Sequence, residues 1–254
     1  MPAPFVRILG CACLALWFSC AGPSSPPPLR IAGAANLRYA LEEIAAAYTQ
    51  ETGQPCELIY AASGKLTAQM VAGAPYDVFL SADARYPAEL ARQGLTHGPA
   101  QTYARGQLVL WTLSPTLSLD AAGLLDGTVQ HVALANPTTA PYGAAAVAYL
   151  QRADLADTLR SKLVFGESIA QASQFVTSGA AEMGFTALSI VRELERTEPV
   201  RWVLLPADTY PALRQQVVVL RREGEVKPGA ERFRDYLFTP TGRRILTEFG
   251  YLTE

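Results

Sequence analysis

Half of the 254 residues are hydrophobic and 17 % are charged, with 21 basic against 23 acidic side chains and a formal net charge of −2. That is enough apolar mass for one large core or two smaller ones. No basic run exceeds two residues, which argues against a partner such as nucleic acid or an anionic membrane; an anionic ligand would have to be captured by a local site and not by the overall field.

Residues 1–20 read as an export leader: Arg7, an apolar stretch over 8–18, then Ser19-Cys20. The stretch is too short to span a bilayer as a helix but suits the apolar core of a secretory signal. Residues 21–28 contain Pro-Ser-Ser-Pro-Pro-Pro and form a proline-rich, extended linker. The arrangement resembles a bacterial lipoprotein signal with Cys20 as the lipidated residue, placing the protein in the periplasm or cell envelope, anchored to the membrane; simple cleavage near Ala21 is the alternative. Cys11, Cys13 and Cys20 belong to this leader, so Cys56 is the one cysteine left in the body. It reads as a buried small hydrophobe, with no disulfide and no cysteine metal site.

From residue 29 apolar runs alternate with helical patterns. Strands are predicted at 29–33, 56–60, 77–81, 107–113, 131–136, 162–165, 183–186, 202–206 and 216–221, and helices at 37–49, 64–72, 85–93, 143–152, 156–161, 169–178, 188–196, 228–238 and 241–249. The alternation indicates an α/β fold, and the strands, rich in Val, Ile, Leu and Phe without strict alternation, suit parallel sheets covered on both faces. The first helix shows how the local signals agree. Asn36 is a good N-cap, Leu37, Leu41, Ile44, Ala45 and Tyr48 form one apolar stripe, and Gly53 stops the segment.

Two turns in the first half share one design. A strand ends, small residues follow (Ala34-Ala35-Asn36, then Ala62-Ser63-Gly64), and a helix begins. Such turns aim unpaired backbone N–H groups at whatever sits above them, so two of them can converge on one anion. Thr138-Thr139 with Pro141-Tyr142-Gly143, and Glu167-Ser168-Ile169, stand at two further helix starts. The polar groups at these tips are mostly neutral. A doubly charged oxyanion wants many donors and no acceptor, whereas a protonated one wants an acceptor as well, so the pattern favours a fully deprotonated ligand. Taken singly, Asn36 and Ser63 read as helix caps, Tyr142 as a packing ring, Ile169 as core and Lys65 as a solvated side chain. Their co-occurrence carries the argument.

Catalytic signatures are weak. His97 and His131 have no partner nearby in sequence, and there is no His-x-x-x-His pair, no cysteine cluster and no Gly-x-Ser-x-Gly elbow. Gly64-Lys65 with Thr67 lacks the upstream glycine of a phosphate loop, and Asp77 and Asp83 read as turn caps. A secreted hydrolase with Ser63 as nucleophile would need a histidine within reach. A ligand-sensing module is the other rival.

Ala-Gly-Ala-Ala-Asn-Leu (32–37), Ala-Ser-Gly-Lys-Leu (62–66) and above all Gly-Ala-Pro-Tyr-Asp-Val-Phe-Leu-Ser-Ala-Asp (73–83) resemble the periplasmic molybdate-binding proteins of ABC importers. So do Asn136-Pro137 through Gly143, Gly184 to Ser189, and the ending from Phe233 to Tyr251. The resemblance runs from residue 29 to the end. It implies a two-lobed α/β fold of the type II periplasmic-binding-protein class, each lobe a mostly parallel sheet flanked by helices, with a ligand cleft between them. One lobe would be 29–104 plus 216–254 and the other 105–215, joined by crossings near 104–106 and 213–216. It implies capture of molybdate or tungstate, with no further cofactor and no enzymatic step, by a monomer that delivers its ligand to an inner-membrane permease. The ligand contacts it implies are Ala35 or Asn36, Ser63, Tyr142 and the backbone at Ile169. Two positions depart from the pattern: Asn36 stands where many members have serine, and Ala187 where some place a ligand tyrosine, whose hydroxyl Tyr142 would supply instead. Sulfate, phosphate or a small organic anion on the same fold is the nearest alternative.

Overall fold

The computed structural model of the chain describes residues 26–253; the expected leader with Cys20, and residues 21–25 of the linker, lie outside them. The chain begins β1 (Leu29–Ala34), a 3-10 turn (Ala35–Leu37), α1 (Arg38–Thr52), β2 (Cys56–Ala61), α2 (Ser63–Val71), β3 (Val78–Ser81), α3 (Arg85–Arg92) and β4 (Thr96–Arg105). It continues β5 (Leu108–Thr112), α4 (Ala121–Leu125), β6 (Val132–Ala135), α5 (Pro141–Arg152), α6 (Ala156–Leu159), β7 (Leu163–Gly166), α7 (Ile169–Thr177), β8 (Met183–Ala187), α8 (Leu188–Leu194) and β9 (Arg201–Leu204). β10 (Arg214–Leu220), α9 (Ala230–Tyr236) and α10 (Pro240–Glu248) complete it. No helix among the described residues is long and apolar enough to cross a membrane.

Two five-stranded sheets result, ordered β2-β1-β3-β10-β4 and β7-β6-β8-β5-β9. In each, the first two pairings are parallel and the last two antiparallel. The sheets are thus mixed: in each, four strands run one way and one, β10 or β5, runs against them, in keeping with the mostly parallel sheets the resemblance implied. Parallel neighbours need a crossover through a helix, which α1 and α2 supply in one sheet and α5 to α7 in the other. β5 and β10 instead enter directly from the opposite sheet, so they are free to run the other way. The chain passes from the first sheet to the second between Arg105 and Leu108 and returns between Leu204 and Arg214. These passages are tied together: the Gly106 N–H donates to the Leu213 carbonyl at 2.9 Å, and Arg105 exchanges backbone bonds with Leu252 at 2.8 and 3.0 Å.

Central strands are dry. β3, β5, β6 and β8 are buried along their whole length, whereas β2, at a sheet edge, is only partly covered. Cys56 on β2 is accordingly half-buried, free, and its thiol is pushed up to about 11 by burial. β4 is absent from the sequence reading because it does not look like a strand. It is mostly polar, contains Gly98-Pro99, and pairs with β10 through two register shifts. Proline and bulges are tolerated at a sheet edge, where half the backbone groups need no ladder partner. The five-residue α4 was also unforeseen; Asp120 caps it by accepting from the Gly123 N–H at 3.0 Å.

In α1 the predicted stripe is buried throughout, with Glu42 and Glu43 outside it, and Gly53 closes the helix with φ 72°. Asn36, however, makes no capping bond: the helix is entered through the 3-10 turn, and the amide is engaged elsewhere. Tyr48 meets Phe233 and Tyr236 edge to face, with centroids 5.1 and 5.3 Å apart, and so holds α9 against α1. Truncating this buried ring in Tyr48→Ala should cost about 3–5 kcal/mol of stability. Denaturant unfolding reads this out; an unchanged midpoint would show that the aromatic cluster does not fix the C-terminal helices.

Candidate functional site

The carboxyl ends of β1, β2 and β7, with the loop after β6, lead into four helical starts that meet around one small cavity. Ala35 and Asn36 come from the 3-10 turn, Ser63 is the first residue of α2, Tyr142 the second of α5 and Ile169 the first of α7. All five residues singled out from the sequence line this small space, and none is more than 5 % exposed. The remaining wall is Ala34, Ala62, Ala82, Ala140 and Pro141, so it carries no ionisable carboxylate and no cation. In open α/β sheets the crevice outside the carboxyl ends of the strands is the ordinary place for a ligand.

Each helix start contributes through its backbone. The first N–H groups of a helix have no intrahelical acceptor, and the aligned peptide dipoles leave roughly half a positive charge there. In α5 the first position is Pro141, which has no N–H, so Tyr142 and Gly143 are the leading donors. In α7 Ser168 caps by accepting from the Gln171 N–H at 3.3 Å, leaving Ile169 and Ala170 as the residues whose N–H groups lead the helix.

Two hydroxyls line the cavity, and each has an oxygen lone pair taken from behind. Ser63 is not the cap of α2; Ala62 holds that position. The Ser63 Oγ accepts from the Ala82 N–H at 3.0 Å. The Tyr142 Oη accepts from the Gln215 Nε2 at 3.2 Å. Burial, with Tyr251 and Tyr210 nearby, holds the Tyr142 phenol well above its ordinary range, so it stays protonated. Both hydroxyls therefore keep a proton to offer.

Asn36 donates both protons of its amide away from the cavity, to the Gln215 Oε1 at 3.1 Å and the Tyr251 Oη at 2.8 Å. An amide nitrogen carries only two protons, so on this side the donors left are the backbone N–H groups of the turn. Gln215, Tyr103, Tyr251 and Ser189, which complete this buried cluster, escaped the sequence reading. One signal was available: Gln215 shares a face with Val217 and Val219, all fully buried, and an amide at an inward strand position needs partners.

Thr138 and Thr139 bridge the lobes instead of lining the cavity. The Gly64 N–H donates to the Thr139 carbonyl at 2.9 Å, and the Tyr86 Oη to that of Thr138 at 3.3 Å. A Cβ at Gly64 would stand 2.7 Å from the Tyr86 Oη and 3.0 Å from the Thr139 backbone, so the approach requires glycine. Lys65 reaches Glu167 across the same gap at 2.9 Å, well exposed, in a pair worth at most about 1 kcal/mol. Neither faces the cavity. Ala187, buried at the end of β8, lies outside its wall. Asp77 and Asp83 serve backbone groups, the one accepting from the Arg30 N–H at 2.7 Å and the other from that of Arg85 at 3.1 Å. His97 sits by Glu231 and Arg221, and the His131 N–H donates to Glu182; neither ring belongs to the wall. Among the described residues no cluster of three His, Cys, Asp or Glu could hold a metal ion.

Residues 29–252 match the family model described as bacterial extracellular solute-binding protein. The molybdate-binding protein ModA of Rhodobacter capsulatus is 37 % identical over 246 residues, 96 % of either chain. That of Azotobacter vinelandii is 39 % identical over 226 residues, 88 % of this chain and 89 % of the relative. The solved structure of the Azotobacter vinelandii periplasmic molybdate-binding protein superposes with a TM-score of 0.83 at 35 % identity, covering 89 % of this chain and 99 % of that one. The chain belongs to the bacterial extracellular solute-binding proteins, in the same family as these molybdate-binding relatives.

Proposed function

We propose that the cavity captures molybdate or tungstate outside the cytoplasm and that the protein delivers it to an ABC importer. The observation that carries this reading is the wall itself: small, buried, free of charge, and furnished with two hydroxyls and several helix starts that all present donors. A tetrahedral dianion without protons can accept from every one of them, and the helix termini supply compensating partial charge without a counter-ion. Ala35, Asn36, Ser63, Tyr142 and Ile169 are the proposed ligand contacts, with Asn36 acting through its backbone and Tyr142 supplying the hydroxyl that Ala187 cannot. Selectivity over sulfate, a smaller tetrahedral dianion, comes from cavity size.

The proposed lobes are 29–104 plus 216–254 and 105–215, which close on the ligand and present the closed surface to an inner-membrane permease. The protein works as a monomer, anchored through a lipidated Cys20, with no cofactor and no catalytic step. A serine hydrolase is disfavoured because Ser63 has the Ala82 N–H behind it, and no histidine in the wall to take its proton.

Calorimetry on the protein without its leader tests the ligand. Molybdate should bind far more tightly than sulfate or phosphate, and equal affinities would sink the assignment. Ser63→Ala combined with Tyr142→Phe removes two donors and should weaken molybdate by about tenfold or more, at roughly 0.5–1.5 kcal/mol for each hydrogen bond and more for bonds to a charged group.

No group in the wall titrates near neutrality, since the Tyr142 phenol is shifted upward. Molybdate affinity should therefore be flat between about pH 6 and pH 9, away from the unperturbed carboxylate and tyrosine ranges. A step inside that window would reveal an ionising ligand group.

Gly64→Ala separates closure from folding. With the lobes apart the new methyl displaces only the Tyr86 hydroxyl, the far end of a side chain, and gains up to about 1 kcal/mol of helix propensity; with them together it also meets the Thr139 backbone. Affinity should fall while the melting temperature without ligand holds or rises. A variant that binds as tightly as the parent would show that this contact is not part of the closed state.

A further inference from the structure

Gln215 has no exposed surface and stands at the start of β10, where the chain re-enters the first sheet. Its Oε1 accepts from the Asn36 Nδ2 at 3.1 Å and the Tyr103 Oη at 3.2 Å, while its Nε2 donates to the Tyr142 Oη at 3.2 Å. One side chain thus joins the first lobe's turn, the crossing strand β4 and the second lobe's hydroxyl. We infer that Gln215 is the positioning residue that fixes the direction of the Tyr142 proton, and so makes that hydroxyl a donor to the ligand; this rests on the oxyanion reading above.

The direction is set by a chain of bonds that ends on a backbone carbonyl. The Asn36 carbonyl oxygen can only accept. The Ser189 Oγ reaches it at 2.8 Å and the Tyr251 Oη at 2.9 Å, with 3.1 Å between those two hydroxyls. Whether Tyr251 gives its proton to the carbonyl or to Ser189, its oxygen must accept from the Asn36 amide at 2.8 Å. Asn36 therefore turns its nitrogen toward Tyr251 and Gln215, and Gln215 must answer with its oxygen. The Gln215 nitrogen then faces Tyr142, whose oxygen accepts and whose proton is left for the cavity. Reversing the amides would spend the Tyr251 proton on the Asn36 side-chain oxygen at 2.8 Å and leave one proton, that of Ser189, instead of two for the three close contacts among Ser189, Tyr251 and the Asn36 carbonyl, a buried clash of lone pairs. Gly106 leaves room for the arrangement, since a Cβ there would lie 2.1 Å from the Tyr142 Oη and 2.5 Å from the Gln215 Nε2.

The consequence is a preference for deprotonated oxyanions. A hydroxyl that must donate offers no acceptor to a ligand that carries its own proton. Gln215→Glu inverts this: as a carboxylate it is acceptor-only and draws the Tyr142 proton toward itself, and as a neutral acid it again has one donor and one acceptor, like the amide. Burial raises a carboxyl pKa toward neutrality, bringing both forms within reach.

The test is molybdate calorimetry on wild type, Gln215→Glu, Gln215→Leu, Tyr142→Phe and the Gln215→Leu/Tyr142→Phe pair, from about pH 8 to about pH 6. Gln215→Leu should lose about ten- to a hundredfold in affinity, the range for an unsatisfied buried partner. In the Tyr142→Phe background the same change should cost much less, because its effect travels through that hydroxyl. Gln215→Glu should be as weak as Gln215→Leu at the higher pH and recover toward wild type at the lower, a rescue that a misfolded variant would not show. If wild type binds but Gln215→Leu binds equally well, or the two changes are fully additive, or Gln215→Glu shows no recovery, this inference fails and the oxyanion reading stands. If wild type does not bind molybdate, both fail together.

Discussion

Ser63 and Tyr142 each accept a hydrogen bond from behind, one from a backbone N–H and the other from a buried amide, and the rest of the cavity follows from that constraint. A free hydroxyl can turn to donate or accept, so a site lined with unrestrained hydroxyls would suit many anions indifferently. Occupying the rear lone pair takes away that freedom before any ligand arrives. On the proposed reading the reorganisation on binding is then small, which lets neutral groups in a buried cavity compete with water for a strongly hydrated ion. A lysine or arginine in the wall would add Coulomb attraction but would bind a protonated anion nearly as well. Helix termini and locked hydroxyls, in the proposed role, read proton content as well as charge.

The fold delivers these groups because the two sheets repeat one plan. Each has three parallel strands joined through helices, then one strand running against them, and an edge strand beyond it. The parallel strands point their carboxyl ends toward the other sheet, and every crossover helix must begin there. A single cavity between two such sheets therefore collects four helix starts without any special loop. The chain crosses beside that cavity, which is why Gly106 and Gln215 abut Tyr142. The cost is a set of polar side chains shut away from water at the junction. Unsatisfied, each would be expensive; here Asn36, Tyr103, Tyr142, Ser189, Gln215 and Tyr251 bond one another.

Much of this was legible in the sequence. The buried strands have long apolar runs, α1 shows its stripe and its stop signal, and the turn tips at Ser63, Tyr142 and Ser168-Ile169 are marked by small or polar residues at a helix start. What was hidden has a common cause. The side-chain bonds of Asn36 and Gln215 join positions 179 residues apart, and no local pattern encodes them. Asn36 therefore looked like a cap, its commonest local use, when its amide is committed to a distant strand. β4 failed on composition, because an edge strand with Gly98-Pro99 obeys rules opposite to those of a central one. Which strand of each mostly parallel sheet runs against the others was not legible, because burial on both faces makes parallel and antiparallel strands look alike in sequence. Direction is set by where the chain enters the sheet.

Away from the crossings, the ties that hold α2 and α3 to the loops before α5 and α7 are few: Gly64 to Thr139, Tyr86 to Thr138, and the exposed pair Lys65–Glu167. At roughly 0.5–1.5 kcal/mol for each hydrogen bond and at most about 1 kcal/mol for the ion pair, they amount to a few kcal/mol, set against water ready to replace every one of them. On the proposed reading, contacts this weak leave the edge of the cleft formed by α2 and α3 close to balance between closed and open. Moving a population from 1:99 to 99:1 takes about 5.5 kcal/mol of differential affinity, and a dianion that bonds to donors from both lobes only when they meet can supply it. Stronger ties would hold the cleft shut without cargo, and weaker ones would leave no closed surface for a permease to recognise. The modest chemistry of these three contacts suits a protein that must let its ligand both enter and leave.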